Sequence, residues 1–385
     1  MKLLFVSNLF PDTTAPYRGL DNATLLHSLA DRWRIRVLAL RPKLPFFPAP
    51  ERLPREHDSR FDPVYWSVPY VPKIGSRWNY RLMARALRPH LRALRQRGEF
   101  DVILSSWLFP DCCAIARLSK ELDFPFVAIA QGSDVHQYLK MSGRRRIMKK
   151  LLPRAAAVIT RSGELARLLG EAGLPAERVH PIYNGVDLEQ FHPSDPETAR
   201  RELSLPLDRP VILFVGNFYR IKNPLILPEA LARLPATAFP APPVLVMVGG
   251  GPLEDDIRRL AERRSLQDRV IFAGRTQAAG VARYMQAADV LCLPSKNEGV
   301  PNVILEAFAS GLPVVASRVG GIPEVHPGDS FGRLVPTATP EAFAAALTET
   351  LTAPPAPERL REHALQFSWR RTAAAYHDLL SAACR

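Results

Sequence analysis

Short apolar runs alternate with longer amphipathic segments along the whole chain. The runs are rich in Val, Ile and Leu and lack the polar alternation of a half-exposed strand, which is typical of parallel strands covered on both faces. In the first half of the chain the predicted strands are residues 3–7, 36–40, 102–105, 126–130 and 157–160. In the second half they are residues 211–215, 244–248, 270–272, 290–293 and 313–316.

Helix-length segments lie between these runs. The clearest of them are residues 19–31, 225–234, 253–264, 279–287 and 303–310. Strand–helix alternation that occurs twice over predicts an α/β protein with two doubly wound domains. Because ligands of open α/β sheets bind beyond the carboxyl ends of the strands, we expect a ligand cleft between the two domains.

The alternation stops near Asn184, where a polar, proline-containing stretch begins. A new strand opens at Val211, and its carboxyl end carries Gly216. We therefore predict a first domain over residues 1–183, a linker over 184–208, a second domain over 209–365 and a terminal segment over 366–385.

Composition narrows the class of protein. The 385 residues suffice for two domains, and 51 Lys plus Arg against 38 Asp plus Glu give a net charge of +13. Such an excess predicts attraction to phosphate-bearing ligands, anionic lipid or nucleic acid. The four cysteines have no metal-ligand spacing, and the apolar run after Lys2 is too short for an export signal. We expect no metal site and a cytoplasmic protein.

The segment 297–307 carries the strongest chemical signal. A glycine- and proline-containing loop follows a predicted strand, and a helix is predicted to begin near Pro301. The amides of Asn302 and Val303, together with the helix dipole, would form a site for a diphosphate. Glu298 lies in the loop beside Gly299, and Glu306 lies about one turn into the helix. Two carboxylates beside an anion site suit a ligand that carries hydroxyls on both sides of a diphosphate, such as a nucleotide sugar.

This segment resembles the signature of the retaining glycosyltransferases of family four, which have the GT-B fold. Their pattern is Glu-Gly-x-Pro-Asn-Val-x-Leu-Glu-Ala, and residues 298–307 match every specified position. The resemblance implies two Rossmann-like domains facing a central cleft. It also implies sugar transfer from a nucleotide-sugar donor to an acceptor hydroxyl with retention of configuration, without a metal or other cofactor. Glu298 would position the donor sugar, and Glu306 would hold the ribose.

Further loops of the second domain resemble the same family. Lys222 matches a family lysine that binds the donor phosphate, and Arg220 would add a second charge, whereas Asn217 stands where the family often has arginine. Gly250 belongs to a glycine turn that lies beside the nucleotide in the family. Arg275 follows a strand-end glycine and would contact the base through its main chain. Residues 320–324 resemble a Gly-Gly-x-Pro-Glu motif that shapes the floor beneath the donor.

The first domain resembles the family more diffusely. Gly19 would let the backbone approach the donor sugar and phosphate. Asp134, in the segment 131–135, is the predicted acid on the acceptor side or on the sugar. Gln131 replaces the family histidine in that segment, and an amide cannot act as a proton shuttle. The segment from Phe367 resembles the terminal helix that packs back on the first domain.

The positive charge is concentrated in the first domain. A first basic segment is a series of arginines at helical spacing: Arg77, Arg81, Arg85, Arg88, Arg92 and Arg95. A second basic segment covers residues 143–150. One interpretation is a surface for an anionic membrane, which would bring a lipid-linked saccharide acceptor to a protein peripheral on the inner face of the plasma membrane. The other is a solvated arginine face. We expect Pro89 to kink or divide this helix, and we expect no nucleic acid as partner.

Two other classes of function stay open at this point. One is another nucleotide-sugar enzyme on the same architecture, such as an epimerase or a phosphorylase. The other is a non-catalytic ligand-binding protein with two domains. Bacterial polysaccharide, lipopolysaccharide or glycolipid synthesis is expected by family analogy.

Overall fold

The computed structural model describes residues 1–44 and 52–385, and the chain divides into two compact units. The first unit comprises Met1–Asn184 together with Trp369–Arg385, and the second comprises Gly185–Ser368. The stretch predicted as a linker therefore belongs, from Gly185 onward, to the second unit.

The described residues of the first unit form a seven-stranded parallel sheet in the order β3-β2-β1-β4-β5-β6-β7. Its strands are β1 (Lys2–Ser7), β2 (Arg34–Lys43), β3 (Val64–Pro69), β4 (Val102–Ser106), β5 (Phe126–Ala130), β6 (Ala157–Thr160) and β7 (Val179–Pro181). Its first helices are α1 (Leu20–Leu29), α2 (Asn79–Gln96), α3 (Cys113–Leu122), α4 (Ser133–His136), α5 (Ser142–Leu151) and α6 (Gly163–Glu171).

Both faces of this sheet are covered, as the uniformly apolar runs predict. Successive side chains of β1 point to opposite faces, so that Leu4 and Val6 join one core cluster while Leu3 and Phe5 join the other. The first cluster contains the buried faces of α2 and α3, and the second contains that of α1. Helices on both faces explain why β1 shows no polar alternation.

The second unit contains a six-stranded parallel sheet in the order β10-β9-β8-β11-β12-β13. Its strands are β8 (Val211–Asn217), β9 (Val244–Gly250), β10 (Val270–Gly274), β11 (Val290–Leu293), β12 (Val314–Ser317) and β13 (Gly332–Val335). Its helices are α7 (Pro196–Glu202), α8 (Ile226–Leu231), α9 (Glu254–Arg263), α10 (Ala278–Ala287), α11 (Asn302–Ala309), α12 (Ile322–Val325), α13 (Pro340–Thr352) and α14 (Pro357–Ala364).

The last helix, α15 (Trp369–Ala383), returns to the first unit. Its residues Tyr376 and Leu380 are fully buried in the same core cluster as α1. Trp33 donates from Nε1 to Nδ1 of His377 at 3.0 Å, which fixes the helix against the turn before β2. The first unit is thus built from the two ends of the chain.

The predicted strands are all present, and three strands were not predicted. The three are β3, β7 and β13, and each lies at an edge of its sheet. Edge strands are shorter or less apolar than central ones, so an apolar run does not reveal them. Pro89 lies inside α2, which runs without interruption from Asn79 to Gln96, so the helix is not divided there. Within the described residues, no helix is both long and apolar enough to cross a membrane.

Candidate functional site

Two loops of the second unit follow neighbouring strands at the point where the strand order reverses. The Lys222 loop, residues 218–225, follows β8, and the Glu298 loop, residues 294–301, follows β11. These strands pair with each other, while the chain continues from β8 to β9 on one side and from β11 to β12 on the other. Such a reversal is where open α/β sheets bind their ligands.

Lys222 and Glu298 form an ion pair between these two loops. Nζ of Lys222 lies 2.5 Å from Oε1 of Glu298, and Oγ of Ser295 donates to the same oxygen at 2.6 Å. The amide of Lys296 donates to the carbonyl of Ile221 at 2.8 Å, so the backbone also joins the loops. The Glu298 side chain is only 11% exposed, against 26% for Lys222, so the carboxylate is held in place more firmly than a surface group.

The helix after the Glu298 loop is α11. It begins at Asn302, and Pro301, which is extended with φ −74° and ψ 125°, is its N-cap, so the helix starts where the sequence predicted it. Asn302 and Val303 stand in the first turn, where amides have no acceptor within the helix. Glu306 is half-buried one turn further along, with Ile304 and Leu305 fixing the helix through the core. The helix therefore presents the predicted anion site and the predicted ribose ligand on one rigid element.

Two consecutive glycines, Gly320 and Gly321, pack against the backbone of the Glu298 loop. Gly320 has φ +56°, and a Cβ on it would lie 1.8 Å from the carbonyl oxygen of Glu298. The amide of Gly321 donates to the carbonyl of Gly299 at 3.0 Å. Only glycine allows this approach, because any side chain at position 320 would collide with backbone. The predicted floor motif thus sets the height of the Glu298 loop.

The first two glycines of the predicted glycine turn lie in the structure at the end of β9, where they pack in a similar way against the end of β8. A Cβ on Gly249, which has φ +139°, would lie 1.9 Å from the carbonyl oxygen of Gly216. The carbonyl of Gly250 accepts from the amide of Phe218 at 3.1 Å and from Nη2 of Arg275 at 3.2 Å. Gly216, Gly250 and Arg275 are therefore neighbours at the carboxyl ends of β8, β9 and β10.

Arg220 and Arg275 have different surroundings. Arg220 is exposed on the Lys222 loop and makes no hydrogen bond or ion pair within residues 1–44 and 52–385. The Arg275 guanidinium donates a hydrogen bond to the carbonyl of Gly250, so its side chain stabilises the fold at this position. That arrangement is compatible with the predicted contact of its main chain, which stays a prediction.

Gly19 and Asp134 belong to the first unit. Gly19 precedes α1 with φ +65°, and a Cβ there would lie 2.3 Å from the carbonyl carbon of Leu9. Asp134 is fully buried, and its carboxylate accepts from the amides of Leu108, Gln131 and Gly132 at 2.8–2.9 Å. Burial raises the pKa of Asp134, although these amides act in the opposite direction. Its catalytic role stays a prediction that this geometry does not support, because the carboxylate holds the loop after β5 instead.

The sequence did not predict a polar network at the carboxyl ends of β4 and β5. Nε2 of Gln131 donates to Oγ of Ser106 at 2.6 Å and to Oδ1 of Asn22 at 2.9 Å. Nη2 of the buried Arg161, just after β6, also reaches Oδ1 of Asn22 at 3.3 Å. Gln131, which the resemblance places where the family has histidine, therefore joins Asn22 and Ser106 through its side-chain amide. The available signal was a polar residue at the end of each apolar run.

The sequence did not single out Ser295 or Asp111 either. Ser295 shares Oε1 of Glu298 with Lys222, as described above. Oδ2 of Asp111 accepts from the main-chain amide and from Nδ2 of Asn8, at 2.6 and 2.8 Å, which joins the loops after β1 and β4. Ser295 lies two residues beyond β11, which again is a sequence signal, whereas Asp111 lies in a helical turn over Leu108–Cys112 after β4.

Two doubly wound parallel sheets define an α/β protein of the Rossmann-like class. The family model described as "Glycosyl transferases group 1" matches residues 195–367, and the model "Glycosyltransferase Family 4" matches residues 22–190. The chain therefore belongs to glycosyltransferase family four. This confirms the resemblance that residues 298–307 indicated.

Curated relatives carry glycosyltransferase names. The D-inositol 3-phosphate glycosyltransferase of Mycobacterium avium is 32% identical over 74% of this chain and 70% of its own length. The D-inositol 3-phosphate glycosyltransferase 2 of Catenulispora acidiphila is 34% identical over 66% of this chain, which spans 61% of that protein. The putative teichuronic acid biosynthesis glycosyltransferase TuaC of Bacillus subtilis is 28% identical over 90% of this chain and 88% of its own length.

Solved structures share the fold over nearly the whole chain. Anabaena HepE in complex with UDP superposes with a TM-score of 0.78 at 21% identity, covering 99% of this chain and 100% of that one. Sucrose-phosphate synthase from Thermosynechococcus elongatus superposes with a TM-score of 0.77 at 24% identity, again covering 99% of this chain and 100% of that one. These likenesses, together with the two parallel sheets, confirm the predicted α/β fold class, GT-B.

Proposed function

We propose that this glycosyltransferase moves a sugar from a nucleotide-sugar donor to a hydroxyl of a saccharide acceptor, with retention of configuration at the transferred sugar. The observation that carries the proposal is the 2.5 Å ion pair between Lys222 and Glu298 at the switch point of the second sheet. It joins the predicted phosphate ligand to the predicted sugar ligand, directly before the first turn of α11.

The donor diphosphate would lie between Lys222 and the amides of Asn302 and Val303. The Lys222 ammonium has three N–H donors, so it can serve a phosphate while it keeps Glu298 as partner. Preorganised donors of this kind stabilise the charge that develops on the leaving diphosphate. Both hydrogen bonds to Glu298 reach Oε1, and Oε2 can accept from a donor-sugar hydroxyl. Glu306 would accept from the ribose hydroxyls.

The reaction itself breaks one bond and forms another at the anomeric carbon. The bond from that carbon to the diphosphate oxygen breaks, and the acceptor oxygen forms a new bond to the same carbon on the same face. The acceptor proton passes to the leaving phosphate oxygen. The positive charge that this step requires comes from Lys222 and the helix amides, so the proposal needs neither a metal nor a covalent enzyme intermediate.

The acceptor is proposed to be a saccharide, free or lipid-linked, in bacterial polysaccharide, lipopolysaccharide or glycolipid synthesis. The TuaC relative, named for teichuronic acid biosynthesis, supports a polysaccharide acceptor. A cytoplasmic location is supported by the four free thiols, of which three are buried. A lipid-linked acceptor would add the inner face of the plasma membrane as a second partner.

Nucleotide binding gives the first test. Thermal stability is measured with UDP, GDP and ADP, because the nucleotide that binds the folded protein raises its melting temperature by mass action. UDP comes first, since HepE is described in complex with it. Nucleotide release is then measured with donors of the selected base. Absence of stabilisation by every nucleoside diphosphate would overturn the proposal.

Three variants test the residue assignment. Lys222→Met and Glu298→Gln should each lower kcat/KM at least about 100-fold, since each removes a charge placed at the reacting centre. Arg263→Met removes an exposed cation on α9 of the second unit and should keep native activity. Full activity of both site variants would refute the assignment. Proton NMR of the product measures the anomeric configuration, and inversion would contradict the retaining mechanism.

A further inference from the structure

A groove runs along the outer surface of the first unit, where α2, α3 and α5 pack side by side. Two adjoining cavities of about 460 and 240 Å³ form it, and they share Tyr80, Arg81 and Ile147. Seven basic side chains line the two cavities, and we call them the cationic groove: Arg77, Arg81, Arg117, Lys120, Arg146, Lys150 and Arg154.

The cationic groove lacks the counter-charges that accompany several exposed arginines elsewhere in the described chain. Arg233 pairs with Glu229 at 2.6 Å and Arg258 pairs with Glu254 at 2.8 Å, each one helical turn apart. Across the described ranges 1–44 and 52–385, none of the seven groove cations forms an ion pair with a carboxylate. Glu121 lines the same cavity, but its carboxylate is held by Arg88 Nε at 2.7 Å. Seven like charges around two adjoining cavities repel one another, so an anionic partner would stabilise this surface.

The groove has a direction relative to the sheet. Helices α2, α3 and α5 all begin at the carboxyl edge of the strands, because each is followed by the next parallel strand of the sheet. Trp78, which is 54% exposed, and Ser142 therefore lie at the edge where α/β proteins bind ligands. Lys120 and Arg154 lie near the other ends of their elements. The groove leads away from the ligand-binding edge.

We propose that the cationic groove holds an acidic saccharide chain, the earlier residues of a polymeric acceptor whose reacting end lies at the carboxyl edge of the first sheet. This inference rests on the proposed sugar transfer and names its acceptor class as a glycan that carries carboxylates or phosphates. Arginine and lysine side chains bind such groups along the chain, and the exposed indole of Trp78 offers a flat face for a sugar ring.

The geometry favours a chain over a membrane surface. A helix that binds a bilayer buries an apolar face in the lipid. The apolar face of α2, with Met83, Leu87 and Leu91, is fully buried in the core of the first unit and cannot face lipid. A concave groove also fits a linear chain better than a flat bilayer. Of the arginine series along α2, Arg77 and Arg81 line the groove and have a saccharide as partner in this proposal, whereas Arg88 and Arg92 contact Glu121.

Charge reversal on two exposed lysines tests the proposal. Lys120→Glu combined with Lys150→Glu changes the groove, and Arg263→Glu combined with Arg370→Glu makes the same change in net charge at exposed positions outside it. The probes are hexagalacturonate, neutral maltohexaose, and vesicles of equal parts phosphatidylglycerol and phosphatidylcholine. Binding is measured by calorimetry for the oligosaccharides and by co-sedimentation for the vesicles, at 50 and 300 mM NaCl.

We expect the native chain to bind hexagalacturonate, with affinity that falls at high salt, and maltohexaose at least tenfold more weakly. The groove variant should lose at least tenfold in affinity for hexagalacturonate, the control variant should stay within twofold, and Trp78→Ala should weaken binding of the chain. Equal binding by both double variants overturns the proposal. So does a groove variant that loses vesicle binding while keeping hexagalacturonate binding, since the surface then serves a membrane.

Donor chemistry separates this proposal from the one on which it rests. Nucleotide release without acceptor depends on the Lys222 and Glu298 loops in the second unit and should be unchanged in the groove variant. A groove variant that releases nucleotide normally and binds hexagalacturonate normally refutes only the acceptor groove. Failure of the native chain to release nucleotide from any donor refutes the sugar transfer, whatever the groove binds.

Discussion

A methyl group on Gly320 should displace the Glu298 loop and so lower the activity of the site. In Gly320→Ala the new Cβ would lie 1.8 Å from the carbonyl oxygen of Glu298, whereas ordinary contact begins at 3.4 Å. The two groups must separate by about 1.6 Å, and a misplacement of about 1 Å at a reacting centre can cost 100-fold in rate. We therefore expect kcat/KM for nucleotide release to fall at least about 100-fold.

The same substitution also strains the backbone, and a matched variant at Gly98 serves as the control for that strain. Gly98 has φ +60°, close to the +56° of Gly320, but a Cβ on Gly98 meets nothing within 4 Å. Both Gly→Ala variants should therefore lose about 1 kcal/mol of stability from the left-handed backbone, as measured by urea unfolding. Only Gly320→Ala should also lose activity. If the two variants show the same kcat/KM, then the contact with Gly320 does not set the position of Glu298.

Substitutions test three further contacts. Burial raises the pKa of Asp111 to about 7, from 3.8 when unfolded, so its contribution to stability falls as pH rises from about 4 to 7. The free energy of unfolding of Asp111→Asn, measured with urea, should therefore rise relative to that of the native chain over this pH range, by at most about 4 kcal/mol above pH 7. If the free energies of unfolding of the two proteins change in parallel with pH, this reasoning is contradicted. Asp12→Asn leaves the buried Arg41 without its ion pair and should cost about 3 kcal/mol, which Arg41→Met should partly restore; an additive double variant would argue against the pair. Ser295→Ala removes a 2.6 Å hydrogen bond to Glu298 and should lower kcat/KM about tenfold with little change in melting temperature, whereas native activity would show that Lys222 alone holds the carboxylate.

The sequence predicted the central strands well because burial on both faces leaves an apolar run. β3 escaped prediction because it is a half-exposed edge strand, and β13 because it contains Gly332 and Arg333. The Lys222–Glu298 pair was foreseen only as two separate motifs, since 76 residues separate them and only the strand order brings them together. Ser295 and the network around Gln131 depend on side-chain directions that no local pattern encodes.

The return of α15 to the first unit has a consequence for biosynthesis. Tyr376 and Leu380 complete a core cluster that also contains Leu3 and Phe5, near the amino terminus. The ribosome makes those partners more than 370 residues apart, and the whole second unit is synthesised between them. The sheet of the first unit therefore has one face incompletely covered until α15 has been synthesised, whereas the second unit can already form its own core. The unit that is translated first is completed last.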